Sequence, residues 1–244
     1  MSSGRQRIDG QLAWVLHAYA YSETSLIVDV FSRDHGRLPL LARGARRPRS
    51  ALRGVLQAFQ PLELGWFGGG EVRTLAKAEW VGGMPLLGGQ ALMLGYYLNE
   101  LLLKLLPRED AHALLFDAYA DCLRALAQGA SVATQEARLR LFEKALLREL
   151  GYGLALERDA LSGEAVRPEC SYQYLVERGP VLAPAGADSR VCIRGKTLLD
   201  LARDDCSDGQ TLSEGKALMR MLIGHHLAGT PLQSRRVFIE LQEL

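Results

Sequence analysis

The segment Arg43-Gly44-Ala45-Arg46-Arg47-Pro48-Arg49 concentrates four guanidinium groups, with Arg37 before it and Arg53 after it. No Asp or Glu occurs between Asp34 and Glu63, so these cations lack carboxylates close to them in sequence. A guanidinium presents paired, planar N–H donors that match phosphate oxygens, and its flat face stacks on a base. Gly44 and Pro48 interrupt regular structure and place several of the arginines on a loop that could follow a nucleic-acid backbone. The plainer reading is a solvated charge run. The missing acids and the strand pattern before the segment favour nucleic acid. Tyr19, Tyr21, Phe31 and Trp66, at strand ends, are candidates for base stacking, although a core role is the default for each.

A second grouping sets Arg138 and Arg140 among Leu139, Leu141 and Phe142. A cation beside apolar side chains can receive a peptide that ends in acids and an aromatic residue. Simple alternation of core and solvent faces on a helix explains the same pattern, and the residues alone leave both readings open.

Signals for catalysis are poor. Gly195-Lys196-Thr197 resembles the end of a phosphate-binding loop, but Arg190 stands where the first glycine is required. There is no Gly-x-Ser-x-Gly elbow and no His-Glu-x-x-His motif. His17, His35, His112, His225 and His226 have no metal-ligand spacing, and Glu100 and Glu143 sit on amphipathic segments where a structural or surface role is expected. Cys122, Cys170, Cys192 and Cys206 include no Cys-x-x-Cys pair, so free thiols in a reducing compartment are expected.

The elements that would position the arginines are strands. Leu12 to Tyr19, Ser25 to Phe31, Arg37 to Ala42, Leu62 to Phe67 and Glu71 to Trp80 are short runs bounded by turn residues. Asp29 interrupts the apolar run of the second, as expected of a strand with one face partly wet. Gly68-Gly69-Gly70 predicts a tight hairpin with positive φ angles. Leu52, Val55, Leu56 and Phe59 predict a short helix over 50–59. Five strands with a helix between the third and fourth point to an OB-type Greek-key barrel.

Beyond residue 85 the period changes to 3.6. Leu94, Leu98, Leu101, Leu102 and Leu105 mark one helix, stopped by Pro107. Leu115, Tyr119, Cys122 and Leu126 mark a second, and Leu139, Phe142, Leu146 and Leu150 a third, with Gly151 as its cap. Residues 154–193 read as irregular, with weak strands at Tyr172 to Val176 and Val181 to Leu182. Helices return at Leu198 to Ala202 and Ser213 to Leu227, the last closed by Gly229 and Pro231. The fold class is therefore α+β and multi-domain. A five-stranded OB-type β-barrel in residues 1–82 precedes a mainly α-helical domain in 83–244 that carries a small irregular insertion.

Of the 244 residues, 48% are hydrophobic and 23% charged, the balance of an ordinary globular chain. The net charge of +1 hides an asymmetry: residues 1–80 carry +4 and the remainder −3. No stretch reaches the roughly 20 apolar residues that span a bilayer, and no apolar targeting core follows the N-terminus. No membrane role is expected, and a cytoplasmic, nucleoid-associated protein is.

Five motifs occur in order: Ser22-Glu23-Thr24-Ser25, Ala42-Arg43-Gly44-Ala45-Arg46, Gly70-Glu71-Val72-x-Thr74-Leu75, Tyr97-Leu98-Asn99-Glu100-Leu101-Leu102 and Leu150-Gly151-Tyr152-Gly153. Each is weak alone. Together the set resembles the bacterial RecO family of recombination mediators over roughly residues 10 to 240.

The resemblance implies ATP-independent binding of single- and double-stranded DNA and annealing of complementary strands, with no cofactor. It implies two partners, the single-strand DNA-binding protein through its acidic, phenylalanine-ended C-terminal tail, and RecR, which together let RecA load. By carry-over, Arg37, Arg43, Arg46, Arg47, Arg49 and Arg53 would contact DNA. Arg140, with Phe142 and Arg138 beside it, would receive the acidic tail. Many members carry a four-cysteine zinc module in the irregular region. The corresponding positions here are Asp159, Ser162, Ala183 and Gly186, so no metal is expected. The rival reading is a protein-interaction adaptor whose basic loop binds an acidic partner peptide and not DNA.

Overall fold

The structure is a computed structural model and describes residues 7–184 and 192–242, with the backbone alone for 238–242. Tertiary contacts divide the chain into two compact units, residues 1–129 with 232–244, and residues 130–231. Among the described residues no helix is long and apolar enough to cross a membrane.

In the first unit, β1 (Arg7–Ala20) pairs antiparallel with both β2 (Leu26–Ser32) and β4 (Pro61–Phe67). The third strand, β3 (Gly36–Ala42), pairs antiparallel with β2 and parallel with β5 (Arg73–Trp80), which returns antiparallel to β4. The ring β1-β2-β3-β5-β4 closes on itself as a five-stranded OB-type barrel. Its interior is filled by residues at period two, among them Val15, Val28, Val30, Leu38, Leu64 and Trp66.

Three local expectations are corrected. The helix expected over 50–59 is a single turn, α1 (Leu52–Val55). Phe59 adopts a φ of 65°, outside any right-handed helix, and turns its ring onto Tyr96. Leu52, Val55 and Leu56 still pack against the barrel core. The turn between β4 and β5 is not a tight hairpin: it occupies residues 68–72, and only Gly68 among the three glycines has a positive φ, so β5 starts at Arg73. Asp29 is buried and does not face water, and Arg37 Nη1 lies 4.0 Å from its carboxylate.

Two helices of the first unit, α2 (Gly89–Leu105) and α3 (Ala113–Ala127), cover the outer face of β1 and β2. Residues 13–16 of β1 are therefore buried on both faces, Ala13 and Val15 inward and Trp14 and Leu16 outward. Trp14 and Phe31 meet Phe116 and Tyr119 of α3 in one aromatic cluster, with centroid separations of 5.4 to 6.5 Å. The pairing of β1 with β2 shifts register between Val15 and His17, leaving Leu16 as the extra residue of a bulge. Asn99 Nδ2 of α2 donates to the Leu16 carbonyl at 2.8 Å, and the Tyr119 hydroxyl donates to Asn99 Oδ1 at 2.5 Å. The last helix is expected to close at Gly229 and Pro231, and a further helix, α7 (Gln233–Gln242), follows them. That helix starts on Glu100, whose carboxylate accepts the Gln233 and Ser234 N–H groups at 2.8 and 2.9 Å. Burial opposes ionisation of Glu100, but the Ser234 hydroxyl and these N–H donors outweigh it and hold its pKa down.

The second unit contains α4 (Val132–Glu149), α5 (Gly195–Ala202) and α6 (Gly209–His226) with a small sheet. Two of its strands are anticipated in the sequence, β6 (Ser171–Leu175) and β7 (Gly179–Leu182), and β8 (Cys192–Arg194) is added on the other side of β6. Asp159 organises the segment before them. Its Oδ1 accepts the Leu161 and Ser162 N–H groups, both at 2.8 Å, and its Oδ2 accepts the Leu182 N–H at 2.6 Å. One carboxylate thus clips the turn at 159–164 to β7, at one of the four positions that the resemblance assigns to zinc ligands. Ser162 and Ala183 are also described; Gly186 lies outside the described residues. Backbone donation from Ser162, Leu182 and Leu161 holds the Asp159 carboxyl below the ordinary carboxylate range.

Two outcomes follow from these contacts. Asn99→Ala leaves the Leu16 carbonyl without this donor and the Tyr119 hydroxyl without this acceptor, and is expected to cost about 2 kcal/mol or more. Urea unfolding followed by tryptophan fluorescence tests this, and a loss too small to measure would show that the bulge stands without Asn99. Because the Asp159 pKa is depressed on folding, its contribution is complete above about pH 4 and disappears as pH falls through its lower folded value. Asp159→Ala should open 159–182 to limited proteolysis at neutral pH, where the native chain is cut there only after acidification.

Candidate nucleic-acid interface

The arginine loop leaves β3 at Ala42 and runs to α1 through successive turns. Arg47 N–H donates to the Gly44 carbonyl, Ser50 N–H to Arg47 and Arg53 N–H to Ser50, at 3.0 to 3.2 Å. Gly44 has a φ of 70°, which a glycine adopts without strain. The loop is also fixed from outside. Ala45 is buried in the barrel core, and the Arg46 N–H donates to the Thr24 carbonyl at 2.9 Å. Arg46 Nη1 donates to the Ser22 carbonyl at 2.6 Å. The Ser22-Glu23-Thr24-Ser25 motif is therefore the turn between β1 and β2 on which the arginine loop is braced.

Bracing of this kind divides the predicted residues. Arg43, Arg46, Arg47, Arg49 and Arg53 are exposed. Of these, Arg43, Arg47, Arg49 and Arg53 make no ion pair among the described residues, and Arg46 spends one nitrogen on Ser22. The loop thus presents several guanidinium groups that no carboxylate among the described residues neutralises, a surface suited to a polyanion.

Arg37 stands apart from these groups. It is half-buried, its Nε donates to the Leu106 carbonyl at 3.0 Å, and its own carbonyl accepts the Glu109 N–H at 2.9 Å. Burial holds the Arg37 pKa below its ordinary value, with Asp29 opposing. Its neighbour Gly36 packs so tightly on this segment that an added Cβ would meet the Asp110 carbonyl oxygen at 1.9 Å. Arg37 thereby joins the barrel to the segment after α2.

The aromatic candidates also separate. Phe31 and Trp66 are fully buried, which removes them as stacking surfaces, whereas Tyr19 and Tyr21 are exposed. Trp80 is exposed too, although nothing in its sequence setting at the end of a strand marks it as open to solvent.

The other predicted groups lie in the second unit. Arg138 is exposed, whereas Arg140 and Phe142 are buried. Arg140 Nη2 donates to Glu143 Oε1 at 2.8 Å, and Arg140 Nε is buried without a hydrogen-bond acceptor. An incoming acid at Arg140 would have to share it with Glu143. Gly195-Lys196-Thr197 does open a helix, but the Gly195 and Lys196 N–H groups donate to the Cys170 and Pro168 carbonyls at 2.7 and 3.1 Å. A Cβ at Gly195 would meet the Arg167 carbonyl oxygen, so the glycine serves packing and not phosphate. Among the described residues no group of three or more His, Cys, Asp or Glu side chains could hold a metal ion.

The chain matches known proteins over most of its length. Residues 11–84, which include the braced loop, match the family described as Recombination protein O N terminal, and residues 88–236 match Recombination protein O C terminal. The chain belongs to the RecO family. It is 59% identical over 240 residues to DNA repair protein RecO of Dechloromonas aromatica, covering 98% of this chain and 99% of that one. It is also 59% identical to the Azoarcus RecO, at 98% and 99% coverage, and 53% identical to that of Ralstonia nicotianae, at 98% and 86%. RecO membership gives the chain a role in DNA repair and recombination. Within the N-terminal match, the segment from Arg37 to Arg53 carries six arginines and no Asp or Glu.

The different settings of the arginines predict different losses. Arg37→Ala should lower thermal stability, because the Leu106 carbonyl loses its donor and Asp29 its nearby cation. Arg49→Ala should leave the melting temperature unchanged. Equal melting temperatures for the two variants would refute the structural role given to Arg37.

Proposed function

We propose that the arginine loop grips the sugar-phosphate backbone of single- and double-stranded DNA, and that the chain acts as a non-enzymatic recombination mediator. The observation that supports this most directly is that Arg43, Arg47, Arg49 and Arg53 are exposed and make no ion pair among the described residues, on a loop anchored by Ala45 and Arg46. Phosphate contacts of this kind fix position on DNA without reading sequence. Neutralising the phosphates of two strands at once lowers their mutual repulsion, so complementary strands can anneal with no input from ATP. In this reading the second unit supplies recruitment. Arg140, buried on the same helix as Phe142 and bound on one side to Glu143, receives the acidic tail of the single-strand DNA-binding protein. RecR joins the chain on coated strands, and RecA then loads.

The test replaces Arg43, Arg47, Arg49 and Arg53 together by Ala, leaving Arg46 to brace the loop. Binding to a labelled single strand should weaken at low salt. The slope of log affinity against log salt should fall by roughly 3, at about 0.7 per lost phosphate contact. Annealing of complementary oligonucleotides without nucleotide should slow in parallel. An unchanged slope would place the DNA face elsewhere, and a native protein that leaves naked oligonucleotides unbound would be an adaptor.

A further inference from the structure

The three tryptophans have opposite fates. Trp14 and Trp66 are buried, but Trp80 is 53% exposed. Strand alternation explains where it sits. Trp80 follows Ala78 at period two on β5, and Ala78 packs against the barrel core. The same face, carried to the end of the strand where Trp80 pairs with Leu62, emerges at the rim of the barrel beside α1. There the indole Nε1 donates to the Val55 carbonyl at 3.2 Å, which fixes the ring without covering it. Val55 shares its single helical turn with Arg53, an exposed cation that makes no ion pair among the described residues. The nearest acid in sequence, Glu79, is held by Lys77 at 2.9 Å. An exposed indole is a poor use of apolar surface unless something covers it.

We propose that Trp80 is a base-stacking platform for unpaired DNA. A strand whose phosphates lie along Arg43 to Arg53 would pass the end of α1 and lay a base on the indole. The inference rests on the DNA-binding reading above and adds strand selectivity to it. Stacking needs a base face that is free, which a single strand offers and the interior of a duplex does not. The arginines grip both forms; Trp80 favours the unpaired one.

The experiment uses the full chain and measures binding of labelled oligo-dT and of a labelled duplex of the same length by fluorescence anisotropy. Trp80→Ala should weaken oligo-dT binding about tenfold, since stacking on one aromatic is worth about 1–3 kcal/mol per base and 1.4 kcal/mol is tenfold. Duplex affinity should stay as it was. Trp80→Phe keeps a ring but has no N–H for Val55, and it should retain most of the oligo-dT affinity. Saturating oligo-dT should also quench tryptophan emission of the native chain and not of Trp80→Phe, a readout that stands even if Trp80→Ala fails to fold. Unchanged oligo-dT binding in Trp80→Ala would overturn the proposal. So would equal losses on both DNA forms in Trp80→Ala and Trp80→Phe, which would mean that the indole only holds α1. If the native chain binds neither form, the DNA-binding reading has failed as well, an outcome distinct from loss of the platform alone.

Discussion

The first unit depends on how the barrel accepts helices against its outer wall. A closed barrel satisfies its backbone groups through its own ladders, except where a strand is bulged. Leu16 is such a place, and its carbonyl is turned toward α2 in a buried environment. An unpaired carbonyl there would carry a desolvation cost with nothing to offset it. Asn99 meets it from α2, and Tyr119 of α3 completes the chain of hydrogen bonds. The bulge, α2 and α3 are thereby set in one register. The aromatic cluster of Trp14, Phe31, Phe116 and Tyr119 supplies the apolar burial around that polar centre. Glu100, the next residue on α2, continues the arrangement by starting α7. The Tyr-Leu-Asn-Glu motif thus has a physical meaning: adjacent residues anchor a strand on one side and a terminal helix on the other.

Against that frame the arginine loop can be rigid without being regular. Its anchors are an alanine in the barrel core and backbone bonds to the turn between β1 and β2, none of which uses the charge of Arg43, Arg47, Arg49 or Arg53. Rigidity and unneutralised charge usually compete, because ion pairs are a common way to fix long side chains. Here the backbone is fixed first and the guanidinium groups stay available. A preorganised cationic loop loses less conformational entropy when it meets a phosphate chain. The same economy appears in the second unit, where the Asp159 carboxylate gathers three backbone N–H groups across a turn and a strand.

Much of this was legible in the residues. Strand periodicity gave five strands in the right places, and the 3.6-residue period of Leu94 to Leu105 gave α2, because burial on one face writes itself into sequence. The acid-free stretch marked the arginine loop. Where the reading failed, the deciding partner was distant in sequence. Phe59 looks helical beside Val55 and Leu56 but is claimed by Tyr96. Asp29 looks solvated, yet it is buried, and Arg37 is its nearby cation. The start of the final helix is held by Glu100, 133 residues away in sequence.

The sequence by itself determined the elements, the polarity of their faces and the chemistry of the loop. These depend on side-chain type and spacing, and a local rule can read them. Only the tertiary structure decided which arginines are free. Arg37 and Arg49 are the same residue type in the same basic segment, but Arg37 lies where the segment after α2 offers it a carbonyl and Arg49 has no ion-pair partner among the described residues. The exposure of Trp80 was decided in the same way, by the barrel ending where it does. A side chain's partners are set by what folding brings beside it, and that information is not contained in its immediate neighbours along the chain.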